Sequence, residues 1–234
     1  NNSYIDQLKS FLAVDKNLVL SGEDISSLNT EQLREFSSFI KNYCSSLEVI
    51  ACVRSPYSFH CSAMQEWIKN GTYKVLDRIQ IQRTQIQRIK DVFGEDVFFY
   101  PFFDACRSRL GPTAYLLEKL GLDISNMKLV TTNEGMSNQF IRVQNILNKY
   151  QPSIKDGRLN DNHIKLNSFK GEKFLLTKLE LEKAKQSLML ENKFFEEELG
   201  AEFCDLSYPT ANEVNFAEAL DRFPELREFI FNKN

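Results

Sequence analysis

The sequence predicts an α/β fold with a parallel sheet flanked by helices, followed by a largely helical C-terminal part. Three short apolar runs have the length of buried strands: NLVLS at 17–21, LEVIACV at 47–53 and DVFFY at 96–100. Amphipathic stretches with helical spacing separate these runs. Because a strand, a helix and a second strand in succession form a βαβ unit, we expect neighbouring strands to run parallel.

The helices are predicted from apolar side chains that recur every three or four residues. The stretch 29–43 has such a face, and Asn29 followed by Gln32 is a capping signal at its start. Pro56 favours the first turn of the next helix, which should end at Asn70-Gly71. Further helices are expected at 3–12, 73–93, 112–120, 137–150 and 176–199, a fourth strand at 128–131, a polar loop at 151–169 and short helical segments in the tail at 212–231.

Size and composition indicate one globular domain. The 234 residues suit a single α/β domain, in which 151–234 form a helical C-terminal extension. A net charge of −3 argues against a general nucleic-acid coat, so no nucleic-acid partner is expected. No apolar run approaches the roughly 20 residues that span a bilayer, so no integral membrane segment is expected.

The cysteines and the N-terminal residues predict a cytoplasmic location. The five cysteines are dispersed without a CxxC pair, which is typical of reduced thiols. Only two histidines occur and no cluster of ligands, so no metal is expected. Residues 1–12 are polar and amphipathic, unlike the basic and then apolar pattern of a signal peptide.

The most informative stretch is VRSPYSFHCS at 53–62. Here a buried strand ends in Arg54 and a helix starts at once. Ligands of open α/β folds bind at the carboxyl edge of the sheet, where a helix N-terminus offers free N–H groups to an anion. The planar fork of Arg54 suits phosphate, and the Ser62 hydroxyl, about two turns into the helix, is a candidate second contact. The stretch therefore predicts an anion site.

This stretch resembles the 3′-phosphate-binding motif of sulfotransferases that use 3′-phosphoadenosine 5′-phosphosulfate (PAPS). In that motif proline follows arginine by two positions and serine by eight, and Arg54, Pro56 and Ser62 match all three. Other stretches resemble, in the same order, segments of bacterial polysaccharide sulfotransferases: NLVLSGEDIS at 17–26, FGEDVFFYPF at 93–102, EKLGLD at 118–123 and NEGMSNQFIRVQNILN at 133–148. The resemblance covers most of the chain before Phe169.

The resemblance implies a P-loop-type parallel sheet and a nucleotide, PAPS or its product PAP, held by Arg54 and Ser62. The implied activity is transfer of a sulfonate group from PAPS to a hydroxyl of a carbohydrate acceptor, in polysaccharide biosynthesis, without a metal. Such a transfer also needs a base for the acceptor proton and a cation near the leaving phosphate.

One feature of that family has no counterpart in this sequence. The family carries a phosphosulfate-binding loop with a Lys-x-Gly-Thr-type core, and none of the nine glycines here stands in that arrangement. We therefore expect the loop in a segment upstream of Asn1, whose absence would expose a sheet edge and favour a homodimer. The alternative is a catalytically inactive binding or structural protein of the same fold. A P-loop nucleotide kinase is disfavoured because its Gly-Lys-Ser/Thr loop is missing.

Several further residues are candidates for the chemistry. Glu23 follows the first predicted strand and is the candidate catalytic base, although a carboxylate there is more often a cap or a solvated turn. Arg107 and Arg109 follow the 96–100 strand and are the candidate acceptor-binding residues.

Other notable residues are better explained by structure than by chemistry. His60 has a pKa suited to a base, but its place within a helix favours packing. The row Arg78, Arg83, Arg88 and Lys90 is typical of a solvated face, with an acidic acceptor as the alternative. The aromatic residues at 93–103 are expected in the core.

Overall fold

The computed structural model describes residues 2–128, 135–166 and 171–214, together with residue 221. Within these residues the helices and strands follow in this order: α1 (Asn2–Leu12), α2 (Thr30–Lys41), β1 (Val49–Val53), α3 (Pro56–Lys69), α4 (Arg83–Phe93), β2 (Val97–Pro101), α5 (Phe102–Arg107), α6 (Gly111–Lys119), α7 (Asn138–Tyr150), β3 (Ile154–Lys155), β4 (Arg158–Leu159) and α8 (Lys178–Glu198). Short 3-10 helices lie at Glu23–Ser27, Gly94–Asp96 and Ala201–Phe203.

The mixed α/β class is confirmed, with a sheet smaller than expected. In the described ranges β1 and β2 pair in parallel, with Val49 opposite Val97 and Val53 opposite Pro101. The chain between them passes through α3 and α4, so they form a βαβ unit with the expected parallel order, whereas the unit expected from 17–21, 29–43 and 47–53 does not form. Strands β3 and β4 form a separate short antiparallel hairpin inside the predicted 151–169 loop.

The predicted strand at 17–21 is wrong. These residues are irregular and mostly exposed between α1 and the Glu23–Ser27 turn, and Val19 is 53% exposed. A short apolar run becomes a strand only when a neighbouring strand takes its backbone hydrogen bonds and a core covers one face. Neither condition holds among the described residues, so 17–21 does not form a strand despite its apolar pattern.

The predicted helix at 73–93 forms only in its second half, as α4. Residues 73–82 are held in an irregular path by side chains that take their backbone hydrogen bonds. Asn145 accepts a 2.8 Å bond from the Lys74 N–H and donates a 2.8 Å bond to the Lys74 carbonyl oxygen. His60 contacts the backbone of Leu76 and Gln80 in the same way. Because these backbone N–H and carbonyl groups already have hydrogen-bond partners, the segment would gain no further stability from the hydrogen bonds of a helix.

The remaining helices agree with the local signals in the sequence. α3 begins at Pro56 and ends at Lys69, as predicted. Asn29 and Gln32 form a reciprocal capping box at the start of α2. The predictions at 112–120, 137–150 and 176–199 correspond to α6, α7 and α8. Most of the predicted strand at 128–131 and of the tail at 212–231 lies outside the described residues.

The main core is formed by α3, α7 and α8, whose apolar faces meet. Its buried members are Tyr57, Cys61, Met64 and Ile68 from α3, Phe140, Ile141, Val143 and Leu147 from α7, Ala184 and Leu188 from α8, and Leu166, Phe174 and Leu176 from the connecting chain. A smaller cluster joins Val53 of β1 to Ile86 of α4 and to Phe195 and Phe203. It covers one face of the sheet and fixes the end of β1, from which Arg54 projects.

The opposite face of the sheet is only partly covered. Cys52 pairs with Tyr100 and Ile50 with Phe98, so these four side chains share that face. Tyr100 is buried against Tyr115 of α6, with ring centroids 5.4 Å apart, whereas Phe98 remains 51% exposed. The prediction that all aromatic residues of 93–103 lie in the core is therefore wrong for Phe98, and also for Phe103.

Among the helices that the structure describes, none has both the length and the apolar character needed to cross a bilayer.

Candidate functional site

Arg54 lies at the carboxyl edge of the parallel sheet, beside the start of α5. Because Val53 and Pro101 are neighbours in the parallel register, the residues after them, Arg54 and Phe102, come together. The guanidinium carbon of Arg54 is 3.6 Å from the centroid of the Phe102 ring. This cation–π contact holds the guanidinium flat against an aromatic surface and leaves its edge N–H groups for other partners.

The guanidinium of Arg54 has no ion pair or hydrogen bond within the part of the chain described. Burial lowers its pKa, and the thiols of Cys106 and Cys52 and the carboxylate of Glu23 act in the opposite direction. A partly buried arginine without an ion pair or hydrogen bond favours an anion beside it, since an anion would offset the cost of burial. The predicted role of Arg54 as an anion ligand therefore stays a prediction with a supporting geometry.

The N-terminus of α3, next to Arg54, is already occupied by a carboxylate of the chain. The Ser55 hydroxyl donates a 2.5 Å hydrogen bond to Oδ1 of Asp205, and the Tyr57 N–H donates one of 2.7 Å to Oδ2. Burial raises the pKa of the Asp205 carboxyl, while these hydrogen bonds act in the opposite direction. The helix end that the sequence offers to a phosphate is thus bound to an internal anion.

Asp205 belongs to a segment, residues 204–212, that crosses α3 and is called the strap below. Tyr57 donates a 2.6 Å hydrogen bond to the Pro209 carbonyl oxygen and contacts the Tyr208 ring edge-to-face, with centroids 5.6 Å apart. Asn192 of α8 accepts a 2.7 Å bond from the Asp205 N–H and donates one of 2.6 Å to the Tyr208 hydroxyl. The strap is therefore fastened to both α3 and α8 by polar contacts.

Glu23 and Ser62, two further residues predicted for the site, differ in their relation to Arg54. Glu23 begins the Glu23–Ser27 turn, is exposed, and lies close enough to Arg54 to affect its pKa. Ser62 lies about two turns into α3 and is partly buried, and no hydrogen bond of its hydroxyl occurs among the described residues. Glu23 therefore affects Arg54 electrostatically without an ion pair, and no contact joins Ser62 to Arg54 among the described residues.

Arg107 and Arg109 lie after β2, at the exposed end of α5. The Arg107 guanidinium stands 5.4 Å from the centroid of the exposed Phe103 ring, and Arg109 is exposed just beyond the helix. Since α5 begins with Phe102 and ends with Arg107, Arg107 belongs to the element that borders Arg54, and Arg109 follows it two residues later. Their predicted role in acceptor binding stays a prediction.

The basic row along α4 is used mostly for internal contacts. Arg83 pairs with Glu191 at 2.8 Å, Lys90 pairs with Glu198 at 2.7 Å, and Arg88 donates a 2.8 Å bond to the Leu28 carbonyl oxygen. These contacts tie α4 to α8 and to the turn before α2. These internal contacts explain three of the four basic residues, so an acidic acceptor is not needed to explain those three.

His60 is a structural residue, as its place in α3 predicts. Its side chain is fully buried, its Nδ1 accepts a 3.2 Å bond from the Gln80 N–H, and its Nε2 lies 2.9 Å from the Leu76 carbonyl oxygen. An Nδ1 that accepts leaves the proton on Nε2, so the ring is neutral. Burial lowers the pKa of His60 below its ordinary value.

We expect acid to destabilise the fold through His60. A histidine whose folded pKa lies below its unfolded value contributes its full stabilisation to the fold above about pH 6.5. Below that pH the free energy of unfolding falls by up to about 1.4 kcal/mol per pH unit. The free energy of unfolding, from urea titrations at pH 7.0 and 5.5, should change less in His60→Gln than in wild type. His163→Gln, at a more exposed ring, should keep most of the dependence. Equal pH dependence in wild type and His60→Gln would contradict the assignment.

Comparisons with protein-family models, with curated proteins and with solved structures found no match to this chain. The function proposed below therefore rests on the geometry of the site and on the resemblance of the sequence motif.

Two contacts of the site could not be read from the sequence. Asp205 reaches Ser55 from 150 positions away, and no local pattern marks it as a helix cap. Phe102 lies in an aromatic run that is typical of a core, yet its ring supports Arg54. Among residues 2–128, 135–166 and 171–214, no group of three potential ligand side chains could hold a metal ion.

Proposed function

We propose that this chain is sulfotransferase-like, binds a 3′-phosphoadenosine nucleotide through Arg54, and transfers a sulfonate group from PAPS to a hydroxyl of a carbohydrate. The observation that carries this proposal is the Arg54 guanidinium, unpaired among the described residues, at the carboxyl edge of two parallel strands. Open α/β folds bind ligands at this edge, and a guanidinium is the side chain best matched to a phosphate. The match of Arg54, Pro56 and Ser62 to the family motif adds the nucleotide class.

The proposed reaction assigns a role to each residue around Arg54. The acceptor oxygen bonds to sulfur, the bond between sulfur and the bridging phosphate oxygen breaks, and PAP leaves. Glu23 takes the proton of the acceptor hydroxyl, since it is an exposed carboxylate near Arg54. Arg107 at the end of α5 and Arg109 just after it contact the acceptor. The carbohydrate class rests on the sequence resemblance.

A second function is favoured by one specific observation. Asp205 occupies the N–H groups of α3 that a phosphate would use. A permanent internal cap would suit a binding or structural protein that keeps the fold without the chemistry. The two functions differ in whether nucleotide reaches Arg54.

Calorimetric titration with PAP, with AMP as the reference nucleotide, tests the proposed function. PAP should bind more tightly than AMP because AMP lacks the 3′-phosphate. Arg54→Ala should weaken PAP binding about tenfold or more, the usual effect of losing a hydrogen bond to a charged group.

Arg34→Ala is the matched control, since Arg34 is an exposed arginine on α2 without a contact in the described structure. It should bind PAP as wild type does. Equal affinity for PAP and AMP, or PAP binding that survives Arg54→Ala, would refute the 3′-phosphate role and favour the structural protein.

A further inference from the structure

The strap places a carboxylate where the proposed nucleotide would place a phosphate. Two donors at the start of α3, the Ser55 hydroxyl and the Tyr57 N–H, both point at Asp205. Arg54, the residue just before Ser55, does not pair with it. The N-terminus of α3 is thus filled from within the chain, whereas the neighbouring Arg54 has no ion pair or hydrogen bond among the described residues.

The strap has the features of a segment that can be released. It follows the Ala201–Phe203 3-10 helix, which begins after Gly200, whose φ of 118° is a conformation that favours glycine. Beyond Asp205, its described backbone contacts are the Tyr57 bond to Pro209, a 3.0 Å bond from the Ala211 N–H to the Leu176 carbonyl oxygen, and a 3.0 Å bond from Asn138 to the Asn212 carbonyl oxygen. Leu206 in its middle is 97% exposed. Tyr208 packs against the main core, and the strap's hydrogen bonds are polar contacts, which exchange with water more readily than a packed core does.

We propose that the strap is an autoinhibitory element in which Asp205 competes with the nucleotide phosphate for the N-terminus of α3. The proposal rests on the proposed function, because it concerns access to the same site. In the closed state Asp205 satisfies the helix end and repels a phosphate beside Arg54. When the strap is released, Ser55 and the Tyr57 N–H join Arg54 in binding the phosphate. Nucleotide binding and strap closure therefore oppose each other.

The test is PAP titration of wild type, Asp205→Asn and the double variant Asp205→Asn/Arg54→Ala. The asparagine side chain would carry no charge to repel a phosphate or to strengthen the cap of α3, so PAP should bind about tenfold more tightly than to wild type. The double variant should lose that gain. Leu206→Ala, an exposed change in the same strap, should leave the affinity unchanged.

A second variant and a second measurement guard against a folding defect in Asp205→Asn. Tyr208→Phe removes the Asn192 hydrogen bond and leaves Asp205 in place, so it should also tighten PAP binding. Hydrogen exchange at the Ala211 amide, which is bonded to Leu176 in the closed state, should speed up when PAP binds to wild type.

The outcomes separate the two proposals. PAP binding that depends on Arg54 but is not tightened by Asp205→Asn or Tyr208→Phe would overturn the strap and keep the nucleotide site. Absence of PAP binding in wild type and in both variants would overturn both. Binding that emerges only in the variants would support the strap in its strongest form.

Discussion

Arg142→Met is expected to lower the free energy of unfolding by about 3 kcal/mol, the low end of the usual effect of breaking a buried ion pair from one side, because both side chains are slightly exposed. The Arg142 guanidinium on α7 donates two 2.7 Å hydrogen bonds to the carboxylate of Glu180 on α8. It also donates to Oδ1 of Asn138 and to the Leu175 carbonyl oxygen. Methionine keeps the apolar stem but takes the guanidinium donors away from these acceptors, so the contact between α7 and α8 is weakened.

Glu180 explains why the loss should be large. Burial raises the pKa of its carboxyl, and the hydrogen bonds from Arg142 and from the Thr177 N–H outweigh burial, so the pKa lies below its ordinary value. Without Arg142 the burial cost of the charge remains unopposed by the guanidinium. The variant Glu180→Gln combined with Arg142→Met should therefore lose less stability than the sum of the single changes.

Urea unfolding at pH 7, followed by far-ultraviolet circular dichroism, measures this prediction. Arg34→Met on α2 is the matched control, and an exposed arginine without a contact in the described structure should change stability by less than about 0.5 kcal/mol. If Arg142→Met were as mild as this control, the pair would add little to the packing of α7 on α8.

The elements that were predicted correctly carry their signals within a few residues. α3 has Pro56 in its first turn and Asn70-Gly71 at its end, and α2 has the Asn29 and Gln32 box. Such signals act through backbone groups of the same helix, so they do not depend on the rest of the fold. β1 and β2 were predictable because a helical crossover forces their parallel order.

The elements that were missed depend on distant partners. The 17–21 run has the pattern of a strand but no neighbouring strand in the described residues. The 73–82 segment has helical spacing, yet Asn145 and His60 take its backbone hydrogen bonds. Both outcomes are decided by side chains far along the chain, which a local pattern does not contain.

In the candidate site, too, the features set by nearby residues could be predicted and those set by distant residues could not. The position of Arg54 at the sheet edge follows from β1 and could be predicted. Glu23 affects the pKa of Arg54 although the strand expected before it did not form, and its role as the base stays a prediction. The cap by Asp205 joins positions 150 apart and depends on how the strap returns after α8. A helix N-terminus that is free by its sequence is therefore not always free in the fold.

Gly71→Ala is expected to destabilise the protein by about 2–5 kcal/mol, from left-handed strain of about 1–2 kcal/mol and overpacking of about 1–3 kcal/mol. Gly71 ends the α3 turn with a φ of +86°, which a side chain rarely adopts. A Cβ atom there would overlap the Ser153 side chain and lie 2.9 Å from Nε2 of His163. Ser153 cannot move away freely, because its N–H donates a 3.0 Å bond to the Gly71 carbonyl oxygen.

Gly121→Ala separates the two causes of this destabilisation. Gly121 also has a left-handed φ, of +69°, but a Cβ atom added there would meet no described atom within 4 Å, so only strain applies. Urea unfolding should therefore give a loss of about 1–2 kcal/mol for Gly121→Ala and a clearly larger one for Gly71→Ala. Ser153→Gly in the Gly71→Ala background should recover part of the difference. Equal losses at the two glycines would mean that the chain at 152–154 yields to the new methyl group, and that its packing on α3 contributes little to stability.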